Sequence, residues 1–149
     1  MPKTKAIIFD WGRTLYDKEN EKLFPETVEV LDFCSKKYDL AIVSLATDNQ
    51  IEGRFAKLDR FDLRKYFKLA LFHASDKDSL FRNAVGNLNL PPEQVLVVDD
   101  RARRLGWAIK SGCRTIWIRR GKFSSETPDA ETGTPNFTVD SLKEILRIV

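Results

Sequence analysis

The sequence is poor in the residues that build thiol and zinc chemistry. It holds two cysteines, Cys34 and Cys113, and a single histidine, His73, with no Cys-x-x-Cys motif. A zinc site made of cysteine and histidine, a thiol exchange motif and any mechanism that needs two histidines are therefore excluded. We expect both cysteines to be buried as small apolar side chains.

Long apolar runs and a strong excess of one charge are also missing. The apolar run that starts at Ala6 is far too short to span a bilayer, and nothing before it resembles a secretory signal. Lysine and arginine number 25 against 22 aspartates and glutamates, and this net charge of +3 is too small to indicate nucleic-acid binding. We expect a cytoplasmic protein with no membrane partner and no sequence-specific nucleic-acid binding.

The basic residues are scattered along the chain, with one denser group. That group consists of Arg101, Arg103, Arg104, Arg119, Arg120 and Lys122. Most groups of this kind are faces exposed to solvent, but a rim that attracts anionic substrates is the alternative.

The residues that are present suit one folded domain. The 149 residues are enough for one core, and 42% hydrophobic with 32% charged residues is typical of globular chains. No internal repeat, low-complexity tract or linker interrupts the sequence. We therefore assign residues 1–149 to a single domain.

Short apolar runs alternate with longer segments of helical spacing. The runs are 6–9, 40–43, 69–72, 95–98 and 115–118. The segments carry Val28, Leu31 and Cys34, then Leu80, Phe81, Ala84, Val85 and Leu88, then Leu105, Ala108 and Ile109. This alternation predicts an α/β fold, a Rossmann-like three-layer sandwich whose parallel sheet has five or more strands.

Turn residues support these boundaries. Asn89 and the Pro91-Pro92 pair should end the second helical segment, and Ser111-Gly112 the third. Residues 123–136, rich in Ser, Thr, Pro and Gly, predict a surface loop, and residues 141–148 a last helix.

Polar residues follow four of the predicted strands. Asp10 comes after the first and Ser44 after the second, Lys77 lies a few residues beyond the third, and Asp99-Asp100 follows the fourth. Right-handed crossovers bring the carboxyl ends of parallel strands to one edge, where open α/β sheets bind ligands. Together these groups suit phosphoryl transfer, with a carboxylate to attack phosphorus and a hydroxyl and an ammonium to hold its oxygens.

Adjacent carboxylates at Asp99 and Asp100 repel each other unless a positive charge neutralises them. Mg²⁺ is the natural candidate, because it prefers oxygen ligands and is commonly held by one or two carboxylates. Asp10 and Asp100 could hold it, with backbone carbonyls. The alternative is that Arg101 or Arg103 neutralises the pair structurally.

The chain resembles the haloacid dehalogenase superfamily of phosphatases, whose four motifs would be IIFDWGRTLYD, IVS, KDSLF and VVDD. The segments FDLRKYF and GCRTIWIRRG are similar to the small magnesium-dependent phosphatase group. The resemblance implies that Asp10 forms an aspartyl-phosphate and that Ser44, with Leu45 beside it, and Lys77 bind the phosphoryl group. It implies Mg²⁺ ligands as follows: Asp10, the Gly12 carbonyl, Asp99 and Asp100.

Two positions depart from that pattern. Gly12 stands where these phosphatases carry a second aspartate, which protonates the leaving group and then activates water, and Arg104 stands where many have an acidic residue. Losing such proton transfer costs about 10²–10⁴-fold in rate, so we expect a phosphatase that is slow or restricted to good leaving groups. Asp17 or a metal-bound water could substitute. Arg13, beside the site, could contact a phosphate.

Only 29 positions separate Leu15 from Ser44, which leaves no room there for the cap domain of many superfamily members. An uncovered site would admit bulky phosphorylated substrates such as proteins, sugar-modified side chains or nucleotides, unless a second subunit supplies a lid. Two other functions stay open: a phosphate-binding or interaction module that has lost turnover, and a metal-independent dehalogenase. Paired carboxylates disfavour the dehalogenase, because its substrate is itself a carboxylate.

Overall fold

The computed structural model describes residues 3–149, which form eight strands and four α-helices. The strands are β1 Ala6–Asp10, β2 Tyr16–Asp17, β3 Lys22–Leu23, β4 Asp39–Val43, β5 Leu69–Leu71, β6 Val95–Asp99, β7 Arg114–Ile118 and β8 Phe137–Val139. The helices are α1 Thr27–Ser35, α2 Asp48–Arg60, α3 Lys77–Leu88 and α4 Gly106–Ser111.

Six of the strands form one parallel sheet in the order β5-β4-β1-β6-β7-β8. β1 and β6, its central pair, are buried at every position, as expected for strands that are covered on both faces. The predicted α/β class and parallel sheet are confirmed. β8 is a sixth strand that the apolar runs did not mark, because only three residues pair at the sheet edge.

Helices cover both faces of the sheet, which makes the fold a three-layer sandwich. Side chains of β1 alternate between two cores: Ile7 and Phe9 pack with α1 on one face, and Ala6 and Ile8 pack with α3 and α4 on the other. This alternation is the physical basis of the Rossmann-like architecture.

Both cysteines are buried, free thiols, as predicted. Cys34 lies in the core under α1 and Cys113 in the core under α4. Burial raises the pKa of Cys34 to about 11 and that of Cys113 to about 12. Neither thiol is a nucleophile at neutral pH.

Predicted helix ends agree with the structure at two positions. α3 ends where Asn89 adopts a left-handed conformation (φ 57°), and α4 ends where Gly112 does (φ 94°). Glycine and asparagine tolerate this conformation best, so both form C-caps.

Three details of the predicted helices are wrong. Val28 was expected on the buried face of α1, but it is 45% exposed. The helix starts at Thr27, which sets the buried face at Thr27, Val30, Leu31 and Cys34. The Thr27 hydroxyl also donates to the Leu15 carbonyl at 2.7 Å.

The last helix is a 3₁₀ segment, Leu142–Arg147. α2 was missed because Leu58 is its one buried residue, which leaves no apolar stripe to detect.

Two intervals of the chain bear on access to the carboxyl edge of the sheet. Residues 16–43 form the β2-β3 hairpin, α1 and β4, and residues 45–76 form α2, a 3₁₀ turn and β5. Both intervals belong to the sandwich or its immediate surface. Within residues 3–149, no helix has the length and apolar composition needed to cross a membrane.

Candidate active site

The five polar residues predicted to converge lie together at the carboxyl edge of the sheet. Asp10 ends β1, and its two neighbouring strands are followed by Ser44 and Asp100. Lys77 is the first residue of α3. All are buried, although they are polar: Asp10, Ser44, Lys77, Asp99 and Asp100 are between 1% and 7% exposed. They line one pocket of about 260 Å³, together with Gly12, Arg13 and Leu45.

Lys77 is the cation that binds the carboxylates. Its Nζ lies 2.6 Å from Oδ1 of Asp10 and 3.3 Å from Oδ2 of Asp99. Burial acts to lower the pKa of Lys77, but the charges of Asp10 and Asp99 outweigh it and leave the pKa above its ordinary value. Lys77 therefore stays protonated at neutral pH.

A second donor orients Asp10. The Thr14 hydroxyl donates to Asp10 Oδ2 at 3.2 Å. With Lys77 on Oδ1, both carboxylate oxygens of Asp10 are held. A side chain held in this way is preorganised to attack along one direction.

Asp10, Asp99 and Asp100 form a cluster in which one oxygen of each lies within 4.8 Å of the others. The pKa of Asp100 is raised to about 9, first by burial and then by the neighbouring charges of Asp10 and Asp99. The pKa of Asp99 is raised to about 6, first by burial and then by Asp10. Three buried carboxylates and one lysine leave a deficit of positive charge.

The cluster fits a divalent metal ion. Oδ2 of Asp99 and Oδ2 of Asp100 are buried and make no hydrogen bond with residues 3–149, although Lys77 lies 3.3 Å from Oδ2 of Asp99. Buried polar atoms normally have hydrogen-bond partners, so these two oxygens are available to a further ligand. Carboxylate oxygens are the donors that hard cations prefer.

The arginine alternative is wrong. The side chains of Arg101 and Arg103 lie 3.7 Å from Glu126 and neutralise that carboxylate instead. Arg101 reaches Asp99 only through its backbone N–H, which donates to Oδ1 at 2.9 Å. No arginine among residues 3–149 forms an ion pair with Asp99 or Asp100.

Arg120 belonged to the predicted basic group but has a structural role. Its guanidinium donates to the carbonyls of Arg13 and Thr14, pairs with Glu26 at 2.9 Å and lies 3.4 Å from the centre of the Phe24 ring. These contacts hold the turn that follows Asp10, the candidate nucleophile, in one conformation. The sequence offered no sign of them, because about 106 positions separate the partners.

Two residues near Gly12 had predicted roles, Arg13 as a phosphate contact and Asp17 as a substitute for the missing acid. Arg13, in a left-handed conformation (φ 63°), lines the pocket while its Nε donates to Glu19 at 2.8 Å. Asp17 binds Asn20 at 2.8 Å and does not line the pocket, so it does not substitute for an acid at position 12.

Lys18 lies over Gly12. A Cβ on Gly12 would stand 2.9 Å from Cδ of Lys18, which means that the lysine chain fills the space a side chain at position 12 would use. Arg54 of α2 donates through Nε to the Ser44 hydroxyl at 3.3 Å. The pocket lining is completed by Lys18, Arg54, Arg101, Arg104 and Phe123. Lys18 and Arg54 were missed because neither follows a strand of the parallel sheet.

Comparisons with known proteins agree with this geometry. The HAD-hydrolase-like family model matches residues 77–145, a span that contains Lys77, Asp99 and Asp100. An L-2-haloacid dehalogenase superposes with a TM-score of 0.82 at 15% identity, with 99% of both chains covered. A haloacid dehalogenase-like hydrolase of Streptococcus pneumoniae superposes with a TM-score of 0.78 at 15% identity, with 97% of this chain and 98% of that chain covered.

The predicted resemblance to the haloacid dehalogenase superfamily is confirmed: the family model matches slightly less than half of the chain, and the solved structures share its fold. A curated relative, the glyceraldehyde 3-phosphate phosphatase of Methanopyrus kandleri, is 32% identical over 71 residues. That match covers 47% of this chain but only 30% of the phosphatase, less than a third of its length.

Proposed function

We propose that this protein is a Mg²⁺-dependent phosphomonoester phosphatase of the cytoplasm in which Asp10 is the nucleophile. One observation carries the proposal. Both oxygens of Asp10 are held, by Lys77 and Thr14, beside buried carboxylate oxygens of Asp99 and Asp100 that make no hydrogen bond within residues 3–149. The buried free thiols of Cys34 and Cys113 agree with a reducing compartment.

In the first step an oxygen of Asp10 bonds to phosphorus, and the bond from phosphorus to the leaving oxygen breaks with its electron pair going to that oxygen. The Ser44 hydroxyl and the Lys77 ammonium hold the phosphoryl oxygens. Mg²⁺ held by Asp10, Asp99, Asp100 and the Gly12 carbonyl would supply the remaining positive charge. Water then attacks phosphorus and the bond to Asp10 breaks, which restores the free carboxylate and releases phosphate. One proton of this water passes to solvent and replaces the proton that the leaving oxygen takes from solvent.

Gly12 determines which substrates react well. No carboxyl group at this position can protonate the leaving oxygen, so leaving groups of low basicity, such as aryl or acyl phosphates, should react faster than alkyl esters. The M. kandleri relative named as a phosphatase supports the phosphomonoester class. The exposed chain of Lys18 and the short elements at residues 16–43 leave the pocket accessible to phosphorylated macromolecules as well as to small esters.

The test is release of phosphate from p-nitrophenyl phosphate with and without Mg²⁺. Asp10→Asn should abolish the activity, because an amide cannot form the phosphoenzyme, and removal of metal with a chelator should abolish it too. Asp17→Asn is the matched control: it is a neighbouring aspartate outside the pocket and should retain full activity. Equal rates for wild type and Asp10→Asn would contradict the proposal.

A module that binds phosphate without turnover is the second candidate. The observation that favours it is that position 12 is a glycine with the Lys18 side chain over it, so no acid stands there. Titration of Mg²⁺ and inorganic phosphate by calorimetry separates the two functions. Binding of both without hydrolysis over a broad panel of phosphoesters would support the module.

A dehalogenase is disfavoured by charge. A metal-independent reaction would leave the carboxylates of Asp10, Asp99 and Asp100 without a neutralising metal ion, with Lys77 as their one ion-pair partner within residues 3–149. A solved dehalogenase is 26% identical to this chain, with a TM-score of 0.67 over 85% of this chain and 56% of that one. Release of chloride from 2-chloropropionate in the absence of metal would favour this reaction instead.

A further inference from the structure

The lining of the pocket around Asp10 has more cationic than anionic side chains, although Lys77 is the cation in contact with the carboxylates. Three carboxylates line it, those of Asp10, Asp99 and Asp100. Six cationic side chains line it as well: Arg13, Lys18, Arg54, Lys77, Arg101 and Arg104. The whole chain has a net charge of only +3, so this is a local concentration of positive charge.

Half of these cations are neutralised by partners. Lys77 pairs with Asp10 and Asp99, Arg13 pairs with Glu19 at 2.8 Å, and the Arg101 guanidinium lies 3.7 Å from Glu126. Lys18, Arg54 and Arg104 pair with no carboxylate in the described part of the chain, residues 3–149. These three are therefore available to an anionic ligand.

The three free cations lie over different parts of the pocket. Lys18 crosses Gly12, in the turn after β1. Arg54 contacts the Ser44 hydroxyl at the end of β4, 3.3 Å away. Arg104 belongs to the short helical turn Ala102–Leu105 that follows Asp100. A ligand with its phosphoryl group at Asp10 would be surrounded by them.

The balance of charge indicates what the ligand carries. Lys77 and one divalent cation offset the three carboxylates, so the phosphoryl dianion would meet the three remaining cations. Two of the three positive charges balance the two negative charges of the phosphoryl group, and one positive charge remains. An excess positive charge at the wall of a pocket favours a ligand with a further negative charge.

We propose that the substrate is a small phosphomonoester with a second anionic group, a carboxylate or a phosphate, which Lys18, Arg54 and Arg104 select. The proposal rests on the proposed function, because it takes the phosphoryl group to bind at Asp10. It adds a specificity site that lies outside the reacting groups. A hydrogen bond to a charged group contributes about 1.5–3 kcal/mol, which corresponds to about tenfold or more in affinity.

Non-hydrolysable phosphonates test the site without any turnover. Propylphosphonate carries one anionic group, 3-phosphonopropionate adds a carboxylate, and 1,3-propanediphosphonate adds a second phosphonate on a chain of similar length. Calorimetry in the presence of Mg²⁺ gives the affinity of each. We expect wild type to bind at least one of the two second-anion probes about tenfold more tightly than propylphosphonate, and the tighter one identifies the group selected. The preference should shrink as salt is raised, because exposed charges are screened.

Charge-removing variants identify the residues responsible. Lys18→Met, Arg54→Gln and Arg104→Gln should each reduce the preference for the second anion about threefold or more, while the affinity for propylphosphonate changes less. Arg103→Gln is the matched control, since Arg103 is the neighbour of Arg104 but lines a different groove. It removes the same charge and should leave the preference unchanged.

Two results would overturn the proposal. The first is equal affinity of wild type for all three probes. The second is a preference for the second anion that is as strong in Lys18→Met, Arg54→Gln and Arg104→Gln as it is in Arg103→Gln. Phosphatase assays on the same proteins separate this outcome from that of the proposed function. A preference without turnover would leave the specificity site standing and refute the hydrolase, and turnover without a preference would do the opposite.

Discussion

Removing the positive charge of Lys77 tests the electrostatics of the whole site. Lys77→Met keeps the length and apolar stem of the side chain but leaves Asp10, Asp99 and Asp100 with no cationic side chain in contact. The lysine is 7% exposed and contacts two carboxylates, at 2.6 and 3.3 Å. Breaking a buried pair by removing one partner costs about 3–5 kcal/mol, because the charge that remains is uncompensated.

An exposed ion pair supplies the control for this prediction. Lys36 pairs with Asp32 one helical turn away at 3.0 Å, but the two side chains are 73% and 51% exposed. Such surface pairs contribute about 0.3–0.5 kcal/mol. Lys36→Met should therefore change the free energy of unfolding by less than about 1 kcal/mol.

The assay is urea unfolding at pH 7 without divalent metal, followed by circular dichroism. The midpoint should fall strongly for Lys77→Met and hardly at all for Lys36→Met. Mg²⁺ should recover part of the loss in Lys77→Met, because a bound cation neutralises the same carboxylates and binds only the folded state. A loss of less than about 1 kcal/mol in Lys77→Met would refute the argument that Lys77 compensates the buried cluster.

Three further predictions concern pH, proton transfer and the turn after β1. Without metal, stability should fall as pH rises from about 4 to about 9, because the pKa values of Asp99 and Asp100 are raised above the unfolded value of 3.8 and ionisation then costs stability. Urea unfolding at several pH values should show a weaker fall in Asp100→Asn, and an equal fall would contradict the assignment. Gly12→Asp should raise kcat on alkyl phosphates about 10-fold or more once Lys18 moves aside; an unchanged kcat would mean that another group transfers the proton. Arg120→Leu should destabilise the fold by about 1–3 kcal/mol by unpairing Glu26 and the carbonyls of Arg13 and Thr14, whereas Arg119→Leu, an exposed neighbour, should not; equal stability of the two variants would refute the structural role of Arg120.

The class of fold and the residues at the centre of the site followed from the pattern of apolar and polar residues. Short continuous apolar runs such as 7–9, bounded by polar and turn residues, predict strands covered on both faces. In a parallel sheet, right-handed crossovers bring Asp10, Ser44 and Asp99 to one edge, and this does not depend on how the helices pack. This prediction needed no contacts between distant side chains, only the order of strands and turns.

The tertiary structure alone decided which charges meet. Lys77 and Asp10 are 67 positions apart, and Arg120 lies about 106 positions from the carbonyl it binds. Arg101 and Arg120 belong to the same basic group in the sequence. In the structure, Arg101 stacks on Phe123 at the pocket wall, whereas Arg120 donates to a carbonyl of the turn after β1 and stabilises that turn. Periodicity reports which face of an element is buried, but pairing between side chains depends on where packed elements place their atoms, so the position of Lys18 over Gly12 emerged only from the folded chain.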